Sequence, residues 1–234
     1  LCLIKEVDEL LDIGLRKRPR ESNKGETDIK LHKFELEILH SHGTDSILKI
    51  IRKYKKILSN IGEKPGVDLL TIGLVGEIYT LIEPYVNLNI EKKLGQLGAD
   101  VYRSITIHEW VKTHLSLDIK HKMAQKKILN KAAPYLNLCI GGHAWQTVAN
   151  SIHYAECGLD GIIQIMPFGC MPEIVAESIL PRISEDYDIP VMTLIVDEMT
   201  GEAGYFTRIE AFVDLLEQKR RSKTNEQKRN LFGS

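Results

Sequence analysis

The residues best equipped for chemistry sit at the ends of apolar runs. In Pro167-Phe168-Gly169-Cys170-Met171-Pro172-Glu173 a thiol lies between two prolines, directly after a glycine and just past the run GIIQIMP. Helical periodicity follows, and proline is favoured in a first helical turn. A thiol at a helix N-terminus is biased toward thiolate, the form that ligates iron or attacks carbon. Glu173 falls in that same first turn, where a carboxylate is favoured by the helix dipole. The alternative for Cys170 is a small buried thiol with a packing role.

Three further groups share this placement. Gly76, Glu77 and Tyr79 follow the run VDLLTIGLVG. A glycine there permits close backbone approach, and Glu77 could hold a hydroxyl, a metal or a helix N-terminus, or serve only the turn. Gly141, Gly142 and His143 precede the helical stretch AWQTVANSIHYAE. Backbone N–H groups at a helix start can hold an anion, although the pattern is neither a dinucleotide fingerprint nor a phosphate loop with its lysine. For His143 the competing role is helix capping. Asp197 and Glu198 close the run IPVMTLIV, and Thr200 to Gly204 form a glycine-bearing loop with Gly201 and Glu202, followed by Arg208. Two acids and two glycines exceed what a simple turn requires.

The four cysteines are Cys2, Cys139, Cys157 and Cys170, with no CxxC pair among them. Local zinc-ribbon and ferredoxin patterns are therefore absent. Cys170 is the leading metal-ligand candidate and Cys139, just before the Gly141 turn, the second. Cys157 falls at a helix C-terminus, where the dipole disfavours thiolate, and reads as structural. Cys2 lies on a helical apolar stripe and reads as core.

The elements that must position these residues change character along the chain. Residues 1–62 have helical periodicity, broken by the charged stretch RKRPRESNKGETD. From residue 63 the pattern becomes strand, helix, strand: VDLLTIGLVG, NLNIEKKLGQLG, ADVYRSIT. Residues 108–134 are helical, and YLNLCIGGH is a short strand or an extended lead-in. DGIIQIMPF, MPEIVAESILPRISEDY, IPVMTLIVDE and TRIEAFVDLLEQKRR then alternate strand and helix. Such alternation predicts an α/β fold with an open, mostly parallel sheet flanked by helices, Rossmann- or flavodoxin-like. The expected organisation is a helical segment over 1–62, the end of a preceding lobe; an α/β domain over 63–218; and a fraying polar tail over 219–234. In such sheets ligands bind beyond the carboxyl ends of the strands, which is where the four groups lie.

Hydrophobic residues make up 43% of the chain and charged ones 27%, with a formal net charge of -1. That balance gives no basis for nucleic-acid binding. The longest apolar candidate, LLTIGLVGEIYTLI, is interrupted by Glu77 and falls short of the ~18–20 residues of a membrane helix. Lys5, Glu6, Asp8 and Glu9 are out of character for a secretory signal. Sparse cysteines point to a reducing, cytoplasmic setting. Leu1 in place of Met gives the expectation that the chain starts inside a longer protein.

Taken as whole strings, KPGVDLLTIGLVGEIYTLIEPYVN, RPRESNKGETD and the block from Ile140 to Glu217 resemble the acyl-CoA dehydratase activase-related group. That group is kin to 2-hydroxyacyl-CoA dehydratase subunits and to double-cubane iron–sulfur proteins. The resemblance runs from about residue 15 to residue 218. It implies a two-lobed α/β protein with an iron–sulfur cluster, 4Fe–4S or double cubane, between the lobes, and an ATP-dependent activator protein as electron donor. In the dehydratases one electron reduces an acyl-CoA thioester to a ketyl radical, which expels water. The resemblance places Cys170 at a cluster-ligand position, with Glu77, Tyr79, His143 and Glu202 around the adjacent cleft. It further implies acyl-CoA as a ligand and a homo- or hetero-oligomer. Members usually carry another N-terminal lobe with more cysteines. This chain corresponds to their C-terminal part, so its cluster is expected to be incomplete. It has no Walker lysine or actin-like phosphate loop, so it does not read as the activator itself. The competing class is a CoA- or phosphate-binding, or activator-docking, regulatory module without redox chemistry.

Overall fold

The computed structural model describes residues 2–115, 119–138 and 140–232. Four strands form one all-parallel sheet: β1 (Leu70–Gly76), β2 (Ala99–Arg103), β3 (Gly161–Pro167) and β4 (Val191–Val196), in the order β2-β1-β3-β4. The register pairs Ile72 with both Val101 and Gly161, and Ile165 with Leu194. The predicted α/β class and parallel sheet are both present. The sequence stretch YLNLCIGGH is not a strand; its described residues form turns and bends, and Cys139 lies outside the described residues.

Alternation along each strand divides the helices into two layers. Leu70, Ile72 and Leu74 of β1, Ile163 and Ile165 of β3, and Leu194 and Val196 of β4 face one way. They meet α4 (Ile78–Ile82), α5 (Ile90–Gln96) and α10 (Glu202–Phe232) through Leu81, Ile90, Leu94, Tyr205, Ile209 and Leu216. Val75 and Ile162 face the other way, toward Tyr154 of α8 (Ala144–Glu156). On that side α8 packs on α9 (Met171–Tyr187) through Val148, Ile152, Ala176, Leu180 and Ile183. Both faces being covered explains why the strands read as continuous apolar runs. Between β2 and α8 the chain forms α6 (Ile107–Leu115) and α7 (Ile119–Leu129).

The helical segment predicted ahead of the sheet is α1 (Cys2–Lys17), α2 (Glu26–Leu39) and α3 (Thr44–Ser59). These helices close on their own cluster of Leu10, Phe34, Ile51, Tyr54 and Leu58. The charged break between α1 and α2 is an ordered turn. Its buried Glu21 accepts the Gly25 N–H and, at 2.8 Å, the Thr27 N–H, capping α2. The turn docks on β2 through Asp100, which is buried and accepts from Arg16 Nη1 at 2.8 Å and Arg20 Nη2 at 2.7 Å.

The carboxyl-terminal stretch departs from expectation. Helix α10 begins at Glu202, inside the predicted loop, and continues through the polar residues to Phe232. Its start is set by a turn in which Asp197 Oδ1 accepts from Met199 N and Thr200 Oγ1. Its polar part is tied down by distant partners: Lys219 and Lys223 pair with Asp188 at 2.6 and 2.8 Å, and Arg220 donates to Asp68 and to Leu69 O. Among the described residues no helix is long and apolar enough to cross a membrane.

Candidate functional site at the strand ends

The chain leaves β1 toward β2 at one edge and returns to build β3 on the other side of β1. In open α/β sheets this reversal opens a crevice beyond the strand ends. At this point Gly76 has φ 138°, in the left-handed half of the map, and a Cβ there would lie 1.9 Å from Ile165 O. Only glycine lets β1 pass so close to β3 before turning away. The same Ile165 carbonyl accepts the Glu77 N–H at 3.2 Å and the Thr80 hydroxyl at 3.1 Å. Glu77 is the N-cap of α4, its Oε2 accepting the Thr80 N–H at 3.1 Å. Capping therefore occupies part of that carboxylate.

The predicted site residues fall into two groups. On the α5–α10 side a cavity of about 820 Å³ brings together Tyr79, Glu198 and Glu202. Lys92, Lys93 and Phe206 complete the walls that matter for charge and shape. Lys93 is engaged by Glu210 at 2.6 Å and lies over the Phe206 ring. Gly201 adjoins Glu202, and its carbonyl accepts the Tyr205 N–H at 3.1 Å, starting α10. The volume is in the range of small-molecule sites.

On the α8–α9 side lie Gly141, Gly142, His143 and Cys170. His143 is the N-cap residue of α8 and Cys170 the N-cap residue of α9. Gly142, with φ 55°, joins the two helix starts, since a Cβ there would lie 2.8 Å from Pro172 Cγ. Cys170 is half-buried; its N–H donates to Pro167 O at 3.2 Å and its carbonyl accepts the Ile174 N–H at 2.9 Å. The sequence places Glu77, Tyr79, His143 and Glu202 round one cleft beside Cys170. Tyr79 and Glu202 line the large cavity, and Glu77, His143 and Cys170 do not. The reason is topological, because the helices after β1 and β4 cover one face and those leading into and out of β3 cover the other.

A buried polar network underlies the α8–α9 side. Glu173, fully buried, accepts from Thr147 Oγ1 at 3.0 Å on both carboxylate oxygens and from Gln164 Nε2 at 2.9 Å. Gln164 Oε1 in turn accepts from Thr193 Oγ1 at 2.9 Å. Burial raises the Glu173 pKa above the usual carboxylate value, the bonds from Gln164 and Thr147 oppose it, and the negative charge of Glu77 adds to it. Gln164 was the available signal: a polar side chain inside GIIQIMP must find a partner when both sheet faces are covered.

The thiols are dispersed. Cys157 is exposed at the C-cap of α8, with its sulfur 3.7 Å from His153 Nδ1. It precedes β3, whereas Cys170 follows it, so the strand's length of roughly 20 Å separates them. Cys2, expected in the core, is exposed, because it stands at the first turn of α1, away from the packed stripe. Among the described residues no group of three or more His, Cys, Asp or Glu is arranged to hold a metal ion. Cys170 fits a single-ligand role, but the described residues do not furnish the four thiolates of a usual 4Fe–4S cluster. No protein-family model and no curated protein matches the chain.

Proposed function

We propose that this protein is an iron–sulfur electron-transfer or 2-hydroxyacyl-CoA dehydratase-like component that works with an ATP-dependent activator. In this reading Cys170 gives one thiolate to a cluster whose other ligands come from another lobe or another chain. The observation that carries it is the position of Cys170: half-buried, at the start of a 17-residue helix, beyond the carboxyl end of a central strand. The resemblance to the dehydratase activase-related group supports the same residue. Exposed Phe168, Met171 and Met199 near the strand ends support a homo- or hetero-oligomer that covers this edge. The free thiols Cys2, Cys157 and Cys170 support a reducing, cytoplasmic setting.

The 820 Å³ cavity favours a second reading, a CoA- or phosphate-binding module without redox chemistry. Anaerobic reconstitution with iron and sulfide, followed by visible and EPR spectra, separates the two. Iron and sulfide uptake that Cys170→Ser abolishes supports the cluster component. Uptake that is indifferent to Cys170→Ser removes it, and absent uptake shows that this chain does not hold a cluster alone and moves the same Cys170→Ser comparison to the complex with the chain or lobe that gives the other ligands. Saturable binding of coenzyme A by the same Cys170→Ser protein then supports the binding module.

A further inference from the structure

The connections that leave three of the strands carry charge of one sign. Residues 76–91, 167–181 and 197–207 begin at the ends of β1, β3 and β4, and they contain no Lys, Arg or His. They hold eight acids, in a chain whose 31 Lys and Arg otherwise balance 32 Asp and Glu. Glu91 stands 3.1 Å from Arg103, and Glu173 is held in the buried network. The other six, Glu77, Glu83, Glu177, Asp197, Glu198 and Glu202, form no ion pair among the described residues. The lysines of the neighbouring cavity wall are engaged elsewhere, Lys93 by Glu210 at 2.6 Å and Lys92 at 3.8 Å from Asp28. His143, at the start of α8, is a base on the same edge.

The same connections expose large apolar side chains: Tyr79 is 59% exposed, Tyr85 87%, Phe168 76%, Met171 75% and Met199 83%. Strands β1, β3 and β4 are neighbours in the sheet, spaced about 4.8 Å apart, so these residues rise from one patch. Their backbone is fastened. The Phe168 N–H donates to Val196 O at 3.0 Å, and the Met199 N–H to Asp197 Oδ1 at 3.0 Å. In the loop that carries Tyr85, the buried Asn87 donates to Thr80 O at 2.9 Å. Aromatic residues and Met are enriched in protein interfaces, and a contiguous exposed apolar patch marks an interaction site. The acids repel the anionic face of a membrane and a nucleic acid alike.

We propose, resting on the reading that another lobe or chain covers this edge, that the covering surface is a basic and apolar protein face. Phe168, Met171 and Met199 form the buried centre of that contact, and the carboxylates form the rim that selects and steers the partner. A neutral or acidic face would desolvate these carboxylates without pairing them, which is costly. Lys and Arg set opposite them remove that cost and speed encounter at low salt. A second copy meeting this edge to edge would bring acid against acid, so the charge opposes a symmetric dimer here.

The test is a titration of the full chain, methyl-labelled at its five methionines, with a helical Lys/Leu peptide and with its Glu/Leu counterpart. The Lys/Leu peptide should shift Met171 and Met199 saturably and leave Met123, exposed on α7, unmoved. The Glu/Leu peptide should bind about tenfold more weakly or worse, and so should the Lys/Leu peptide to a Glu198→Lys, Glu202→Lys protein. Raising the salt from about 0.1 to about 0.5 M should weaken the native complex several-fold. If the double variant does not fold, the comparison of the two peptides on the native protein decides alone. Neither titration needs iron, so a failure here leaves the iron-uptake result to decide the cluster reading. Absence of saturable shifts, shifts confined to Met123, or equal binding of the two peptides overturns the proposal. Concentration-dependent self-association of the chain alone that Glu198→Lys abolishes overturns it as well, by making the occupant a second copy.

Discussion

Replacing Gly76 with alanine should be among the most damaging single changes in the sheet, although it adds only one methyl group. The new Cβ would stand 1.9 Å from Ile165 O and 2.9 Å from Ile165 C, both backbone atoms of a central strand. Relief needs a separation near 3 Å, so β1 must move about 1 Å from β3 just where they diverge. Two terms add. Holding an L residue at φ 138° costs about 1–3 kcal/mol. The shift also strips Ile165 O of its bonds from Glu77 N and Thr80 Oγ1, at about 1 kcal/mol each. The sum, about 3–5 kcal/mol, is a large share of the 5–15 kcal/mol that holds a typical domain. With a urea m-value of about 2–3 kcal/mol/M, the midpoint should fall by about 1–2.5 M. Gly141→Ala is the control: its φ is 81°, but nothing lies within 4 Å of the added Cβ. It should lose only about 1–2 kcal/mol, the conformational cost alone. Urea unfolding of the three proteins, followed by far-UV circular dichroism, measures both. A Gly76→Ala protein no less stable than Gly141→Ala would refute the argument that strand contact at Ile165, rather than backbone freedom, fixes glycine at 76.

Two smaller perturbations probe the Cys170 side. The raised folded-state pKa of Glu173 means the native state holds its proton more tightly than the unfolded chain. Stability from this group is complete below the unfolded carboxylate value of about 4.3 and is lost as pH rises through the folded value. Glu173→Gln removes that loss, so it should match the native protein near pH 4 and exceed it near pH 8 in urea midpoint; a constant difference across the range contradicts this. Gly142→Ala combines a φ of 55° with a Cβ 2.8 Å from Pro172 Cγ. It should push residues 141–143 off the first turn of α9, cost about 1–3 kcal/mol, and make Cys170 react several-fold faster with a chromogenic disulfide in a Cys2→Ser, Cys139→Ser, Cys157→Ser background. An unchanged rate shows that the loop does not shield the thiol.

The sheet was legible because its strands are covered on both faces. VDLLTIGLVG and GIIQIMP are continuous apolar runs closed by turn residues, a pattern that neither a half-exposed strand nor an amphipathic helix yields. The last helix was legible from Thr207 to Arg221, where its apolar stripe and first basic residues run. Its polar continuation depends on Asp68 and Asp188, far away in the chain and carrying no mark of that role. The strand-end rule located Glu77, Tyr79, Cys170, Glu198 and Glu202 at one edge of the sheet. It did not assign them to sides, since this depends on which face each connection crosses.

The placement of Cys170 follows from what Glu173 does instead of capping. An acid three residues after an N-cap ordinarily turns back to the N-cap N–H. Here Glu173 turns inward to Thr147 and Gln164, and the Cys170 N–H is satisfied by Pro167 O. The first turn of α9 is therefore fastened from beneath, to β3 through Gln164 and to α8 through Thr147, with Thr193 of β4 completing the chain of bonds. Pro172 fixes φ in that turn, and Gly142 closes against it. Three constraints, a buried carboxylate, a proline ring and a side-chain-free neighbour, thus hold the start of α9 rigid and leave Cys170 half-exposed at its tip. In the proposed cluster role this rigidity would set the distance at which Cys170 meets its partner.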